Sequence, residues 1–563
     1  MSRSATARTG AQLLVECLLT HGADTAFGVP GESYLALLDA LHDVQNRLRF
    51  VICRQEGGAA NMADAYAKLT GKPALCLVTR GPGAANAAVG VHTAFQDSTP
   101  MIVLIGQVAR YMKGREAFQE VDYPNFYGEL TKWTAEIDDP DRIPELVSRA
   151  FHVACTGRPD PVALALPEDM LDELTEAQPG DPYVPARSWP GAPEMERLRT
   201  LLAEAERPLL VIGGGSWSAE ASRDITAFAE NNNLPVVCSF RCQDYIDNTH
   251  RLYCGDAGAG MSPVTGKLIR EADLVIAAGP RLGEMTTQDY GHVKAPRPDQ
   301  TLVHVHASSD ELGRVYMADL KIHADLPLFC AAAAALDPVD CAAWAKTWAV
   351  VARNDHVADF KLPDQPGPVD MRAVMKCLRE TLPPDTVVCT GAGNYAIWAQ
   401  KQWLFKPYRT QIAPTSGAMG YGVPAAVAAK MVHPDRTVLS FNGDGCFLMN
   451  GQDLATAVQY GLDPIFLVVN NGMYGTIRMH QERHYPGRVF GTELANPDFA
   501  ALARAYGAHG ERVDKTEDFA PALERARAAG KASLIEIVID GEVITPRATL
   551  TGIREAAQRR KDG

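Results

Sequence analysis

The sequence predicts an α/β protein made of three doubly wound parallel-sheet domains. Apolar strands alternate with helical stretches along nearly the whole chain, the pattern of parallel sheets with helices on both faces. The strands repeatedly end in polar turns rich in glycine. The length of 563 residues allows three to four domains at about 150 residues each. Pro/Gly-rich composition marks a linker over 176–194, and an alanine- and proline-containing connection spans 335–368. The expected domains are therefore 8–175, 191–340 and 369–547, with 548–563 as a charged, mobile tail.

Hydrophobic residues make up 46% of the chain and the charges are mixed, which is ordinary soluble globular composition. The net charge of −14 argues against a nucleic-acid partner. An anionic substrate must then meet locally placed cations. The N-terminus leads into an amphipathic helix without an apolar signal core. No apolar run approaches the roughly 18 residues of a membrane span. A cytoplasmic location without membrane contact is expected. The twelve cysteines are scattered, with no CxxC pair, and read as buried free thiols in a reducing compartment.

In the first module, Thr25–Gly31 is a strand ending in a Gly/Pro turn. The next strand, Phe50–Cys53, leads to Glu56-Gly57-Gly58 and a small-residue helix through Ala63, Ala67 and Leu69. Pro73–Thr79 precedes the turn Arg80–Asn86 and a second small-residue helix. Met101–Gly106 and Pro161–Pro167 are further strands. On position alone, Glu56 reads as an acid near a helix N-terminus, stabilised by the local dipole. The second module starts at Pro208–Gly215, and strands follow at Pro235–Cys238, Asp273–Gly279 and Leu302–His306.

The third module opens with a helix over Met371–Leu382 and a strand over Thr386–Thr390, ending in Gly391-Ala392-Gly393-Asn394-Tyr395. Further on, the strand Thr437–Phe441 runs into Gly443-Asp444-Gly445. A helical stretch with Leu454, Ala457 and Val458 follows, and the strand Pro464–Val469 delivers Asn470-Asn471. The two polar turns fall at the C-terminal ends of neighbouring parallel strands, the edge where open α/β sheets bind ligands. One carboxylate, one amide oxygen and a nearby backbone carbonyl suit a hard divalent cation such as Mg²⁺, which keeps positions for water and phosphate oxygens. The glycines let a diphosphate approach the backbone.

Gly443-Asp444-Gly445 and Asn470-Asn471, each after an apolar strand, resemble the cofactor signature of thiamine diphosphate enzymes. The blocks AFGVPGE, RQEGGAANMADAYA, TRGPGAANAAVG and DSTPMIVLIGQV, then AFQEVD, resemble the pyrimidine-binding domain of acetolactate synthases, large-subunit type. The resemblance implies a pyrimidine-binding first domain, a central domain and a diphosphate-binding third domain. It gives Glu56 the hydrogen bond to the aminopyrimidine that promotes loss of the thiazolium proton, a task for a carboxylate in a dry pocket. It places Pro30, Thr79 and Asn86 along the pyrimidine, and Phe118 and Gln119 toward the reactive carbon. It puts Asn394, Tyr395, Gly417, Gly443 and Gly445 around the diphosphate, with Met419 beneath the two rings as a flexible wedge. Asp444, Asn471 and the carbonyl of Met473 become the Mg²⁺ ligands. Arg281 matches the arginine that receives an acceptor carboxylate.

Several positions depart from the family pattern. Asn394-Tyr395 stands where Gln-His is common. His480 replaces the tryptophan that selects the second 2-oxo acid in synthases, which leaves room for a polar donor acid or an aldehyde. His480 reads as an acid/base group or a pocket wall. The central Gly213-Gly214-Gly215 and Gly279-Pro280-Arg281 match the pattern of a structural FAD. A Gly-Met-His-Gly segment is missing, and the strand end expected to be acidic reads His304-Val305-His306, so the two departures disfavour FAD and leave it an open alternative. The expected activity is thiamine diphosphate- and Mg²⁺-dependent decarboxylation of a 2-oxo acid, with carboligation to a second carbonyl. Alternatives are a simple 2-oxo acid decarboxylase, a benzaldehyde lyase-type aldehyde lyase, or a non-catalytic cofactor-binding paralogue. The resemblance implies a homodimer or homotetramer and leaves a small regulatory subunit undecided.

Overall fold

Each of the three modules folds around its own six-stranded parallel sheet in the computed structural model, which describes residues 7–562. The chain divides into two compact units. One holds the residues up to Arg187 with Val427–Val432; the other holds Ser188–Ala426 and the residues from His433 onward.

The first sheet comprises β1 (Thr25–Gly28), β2 (Arg49–Ile52), β3 (Ala74–Val78), β4 (Met101–Gln107), β5 (Trp133–Glu136) and β6 (Pro161–Pro167), in the order β2-β1-β3-β4-β6-β5. Strands β3, β4 and β6 are buried along their whole length, as expected where helices cover both faces. Edge strand β5, not anticipated from the sequence, is only half-buried. Helix α1 (Glu56–Thr70) begins at Glu56 itself, because Gln55 caps it by accepting the Gly58 amide at 3.0 Å. Helix α2 (Gly81–Asp97) packs closely on α1. A Cβ on Gly90 would lie 2.4 Å from the Cβ of Ala60, so the small residues set the approach.

The central sheet is built from β7 (Pro208–Ile212), β8 (Val236–Cys238), β9 (Tyr253–Asp256), β10 (Leu274–Ala278), β11 (Thr301–His306) and β12 (Leu320–His323). Its order, β9-β8-β7-β10-β11-β12, is the doubly wound dinucleotide-binding order. The third sheet has β13 (Val387–Thr390), β14 (Gln411–Ile412), β15 (Val438–Gly443), β16 (Ile465–Asn470), β17 (His509–Val513) and β18 (Ser533–Val538). Its order, β14-β13-β15-β16-β18-β17, repeats that of the first sheet.

Two stretches differ from expectation. The connection 335–368 contains a helix, Trp348–Asp359, tied to the central sheet where Trp348 Nε1 donates to Pro208 O at 3.0 Å. The segment expected as a mobile tail is also helical. In the third domain, α3 (Tyr395–Gln402), α4 (Asp444–Asn450) and α5 (Gly475–His484) follow strands of the sheet, and α6 (Leu550–Asp562) docks on α5. Leu550 packs with Met479 and Ile544, and Arg554 makes two bonds to the Glu482 carboxylate, at 2.8 and 2.6 Å. Arg478 bonds the same carboxylate. Charge patterning alone reads this tail as solvated; the apolar stripe and the buried Glu482 hold it down. Among the described residues no helix is long and apolar enough to cross a membrane. The twelve cysteines are free thiols, most of them buried. Burial pushes Cys76 and Cys254 up to about 12, which keeps them unreactive.

The Arg554 pair, with the Gly487 amide and Arg478, holds the Glu482 carboxyl down at about 2, against an ordinary 4.5. Its folded value lies below its free one, so the stabilisation is complete above about 4.5 and is lost as pH falls toward 2. Replacing Glu482 with Gln should cost on the order of 2–3 kcal/mol at neutral pH in urea denaturation. The gap to the parent should narrow between about pH 5 and pH 3. A gap constant over that range would show that the carboxylate does not anchor α6.

Candidate active site

The C-terminal edge of the first sheet gathers the residues expected there. Glu56, 9% exposed, accepts the Asn86 amide on Oε2 at 2.9 Å. Thr79, just past β3, shares a hydrogen bond of 3.0 Å with Ser33. The turn after β1 presses on it: a Cβ on Gly31 would come within 2.6 Å of the Thr79 Cβ. Pro30 beside it is exposed. A Cβ on Gly83 would sit 2.8 Å from Thr79 Cγ2 and 3.3 Å from Glu56 Oε1, so glycine there keeps the carboxylate and Thr79 adjacent. Gln119 has a left-handed backbone (φ 65°), and its carbonyl accepts the Gly81 amide at 3.0 Å. Phe118 next to it is 71% exposed. The six expected residues of this module thus share one sheet edge.

The corresponding edge of the third sheet encloses a cavity of about 220 Å³. Asn394, Tyr395, Gly417, Met419, Gly443, Asp444, Gly445, Asn471 and Met473 all line it. Asp444 is the first residue of α4 and is 3% exposed. Burial pushes its carboxyl upward; Asn496 and the backbone amides of Gly445, Gly472 and Met473 partly offset this. Asn496 Nδ2 donates to Asp444 Oδ2 at 2.7 Å and to Asn470 Oδ1 at 2.9 Å. Asn470 in turn donates to the buried Glu536 at 2.8 Å. Asn471 Oδ1 accepts the Met473 amide at 3.3 Å, across a turn that Gly472 makes with φ 68°. The Asn496 link runs across 52 residues, and no local motif announces it.

Two lining residues point their polar atoms at protein partners. Asn394 Oδ1 accepts the Thr476 hydroxyl at 3.1 Å, and its Nδ2 meets Met479 Sδ at 3.5 Å. Tyr395 bonds Cys446 Sγ at 3.0 Å through its hydroxyl. Its ring covers a cradle of glycines: a Cβ on Gly443 would lie 2.6 Å from the ring, and one on Gly393 2.8 Å. At Gly417 (φ 71°) an added Cβ would meet nothing, so the backbone there borders open space.

Asp444 Oδ, Asn471 Oδ1 and the Met473 carbonyl are an all-oxygen set of one charge, which fits a hard cation. Among the described residues, no cluster of three His, Cys, Asp or Glu side chains offers a softer alternative. The glycine-lined cavity and this donor set fit a diphosphate accompanied by a divalent cation.

Two expected residues are not brought to this cavity. His480 is exposed on α5, its ring stacked on His484 at 6.1 Å. Partial desolvation, then the nearby Arg483 and His484, keeps its imidazole below the usual value. Arg281 lies half-buried in the turn after β10. The central glycines have a structural use of their own. A Cβ on Gly214 would meet Gly279 O at 2.1 Å, and one on Gly279 (φ 92°) would meet Gly213 O at 2.3 Å. They bring two loops into contact, so their pattern does not require a flavin. His304, at the strand end expected to be acidic, bonds Pro280 O at 3.0 Å, and burial holds its imidazole down.

Family models for the N-terminal TPP-binding, central, and C-terminal TPP-binding domains of thiamine pyrophosphate enzymes match residues 8–126, 195–333 and 391–537. The chain therefore belongs to this family and is a thiamine diphosphate-dependent enzyme, similar to acetolactate synthases. It is 34% identical over 554 residues to an acetolactate synthase large subunit of Corynebacterium glutamicum, covering 95% of this chain and 87% of that one. It is 31% identical over 535 residues to the isozyme 2 large subunit of Escherichia coli, with 94% and 95% covered. A probable acetolactate synthase large subunit of Methanocaldococcus jannaschii is 31% identical over 572 residues, with 97% and 95% covered.

The contact of Tyr395 with Gly443 is directly testable. Gly443→Ala should cost about 1–3 kcal/mol of stability by overpacking. Adding Tyr395→Ala should recover most of that cost, which a double-mutant cycle of denaturation measures. Additive costs would mean that the ring does not rest on the glycine.

Proposed function

We propose that this enzyme decarboxylates a 2-oxo acid and joins the acyl fragment to a second carbonyl, with Mg²⁺ and thiamine diphosphate. The observation that carries this reading is the gathering of Asp444, Asn471 and Met473 in one glycine-lined cavity with Met419. The relatives named as acetolactate synthases support it. When bound, the cofactor supplies the nucleophilic carbon and the electron sink that decarboxylation needs.

The chain's own residues bind, orient and move protons. The Asp444 and Asn471 side chains and the Met473 carbonyl would hold Mg²⁺, and the metal charge would offset the cost of burying Asp444. Gly443 and Gly445 would let phosphate oxygens reach the backbone. Met419 would prop the two rings. Asn86 occupies Glu56 Oε2, which leaves Oε1 to hold and release a proton. Pro30 and Thr79 would line the pyrimidine, and Phe118 and Gln119 the reacting carbon. His480 would act as an acid/base group or pocket wall and Arg281 would receive an acceptor carboxylate; like Glu56, neither lines this cavity. The minimal active unit is proposed as a homodimer. Because the relatives are named large subunits, association with a smaller subunit is a further assay condition.

Mass spectrometry of products from a panel of 2-oxo acids and carbonyl acceptors, with thiamine diphosphate and Mg²⁺, tests the reading. A ligated product such as acetolactate is expected; free aldehyde alone would favour a simple decarboxylase. Glu56→Gln should lower kcat by about 10²–10⁴-fold while cofactor binding is retained. Unchanged turnover would remove Glu56 from the chemistry. The purified protein should show no flavin absorption, and a flavin spectrum would overturn the assignment of the central glycines to loop packing alone.

A further inference from the structure

Among the described residues, no side chain of the central domain lines the cofactor cavity. One of them nevertheless reaches the loops that form it. Arg241, three residues past β8, holds a left-handed backbone at φ 62° and is 8% exposed. A non-glycine residue in that conformation is costly and persists only where its surroundings hold it. Its Nη2 donates to Gly391 O at 2.8 Å, and its Nη1 donates to Pro414 O. Gly391 directly precedes the lining run Ala392–Tyr395. Pro414 stands three residues before Gly417.

The neighbours of Arg241 reinforce this hold. The buried Asp244 accepts the amides of Thr410 and Gln411 at 2.9 and 3.1 Å. Gln243 and Gln411 exchange two bonds, at 2.7 and 2.9 Å. The strand they grip, β14, pairs with β13 at only two positions, Val388 with Gln411 and Cys389 with Ile412. An edge strand that short gives the following loop little rigidity of its own.

We propose that Arg241 is a positioning residue for the cavity: its guanidinium fixes the Gly391–Tyr395 and Pro414–Gly417 loops relative to each other and so sets cofactor affinity. A planar guanidinium holds two carbonyls at a set separation, which a lysine ammonium cannot reproduce. The proposal rests on the cavity being the thiamine diphosphate site. It assigns the central domain a part in binding that does not depend on a ligand of its own.

The test uses full-length Arg241→Met, Arg241→Lys and, as control, Asp256→Asn. Asp256 makes a separate buried ion pair between these domains, to Lys401 at 2.5 Å. Calorimetric titration with thiamine diphosphate at saturating Mg²⁺ should show Kd raised about ten- to a hundred-fold in Arg241→Met, the loss typical when an outer-shell support is removed. Arg241→Lys should fall between it and the parent, and carries the comparison alone should Arg241→Met not fold. Hydrogen exchange without cofactor should quicken in the 391–395 and 414–417 loops and not in 443–450. Asp256→Asn should leave Kd and both loops as in the parent. Parental Kd and exchange in the Arg241 variants, or equal effects from Asp256→Asn, would overturn the proposal. If the parent itself takes up no thiamine diphosphate, the functional reading fails. Exchange then decides on Arg241 separately: faster loops sustain its positioning role, unchanged loops refute it.

Discussion

A carboxylate almost sealed from solvent dictates the architecture of this site. Asp444 is 3% exposed, and the groups that hold it, the Asn496 amide and three backbone amides, are neutral. Taking a charge out of water costs several kcal/mol unless an opposite charge compensates, and neutral donors repay only part of that. Burial accordingly drives the carboxyl upward. In the proposed reading, the bound cation restores the balance. The end of β16 and the Gly472 turn bring Asn471 and Met473 to the same cavity as this carboxylate.

The rest of the third domain serves that arrangement. Parallel strands buried on both faces deliver their ends to one edge, and glycines there allow Tyr395 and Tyr474 to close over the backbone. Behind the edge, Asn496, Asn470 and Glu536 form a chain of hydrogen bonds that holds Asp444 in register. The first sheet repeats the strand order of the third, yet its edge presents Glu56 and Asn86 in place of an oxygen cage. One layout thus presents two different sets of polar groups, through the residues at the strand ends.

The parts of this organisation carried by local pattern were legible in the sequence. Apolar runs followed by glycine turns located the sheets, and Gly443-Asp444-Gly445 with Asn470-Asn471 located the cavity that the nine named residues line. The less legible parts depend on distant partners. Residues 550–562 carry a strongly charged composition, and only docking against Met479 and Glu482 makes their helix part of the fold. Asn496 and Arg241 act through bonds across 52 and 150 residues, which no spacing rule anticipates. Arg281 and His480 rest on resemblance alone; neither is among the cavity-lining residues. The central glycines match a flavin pattern, and in this structure they also pack two loops closely against each other.

Calorimetric titration of thiamine diphosphate into the metal-stripped protein, with and without Mg²⁺, tests the role of the Asp444 cage most directly. The account predicts saturable uptake with Mg²⁺ and its loss when a chelator replaces the metal. Uptake indifferent to the metal, or none when it is supplied, would contradict it.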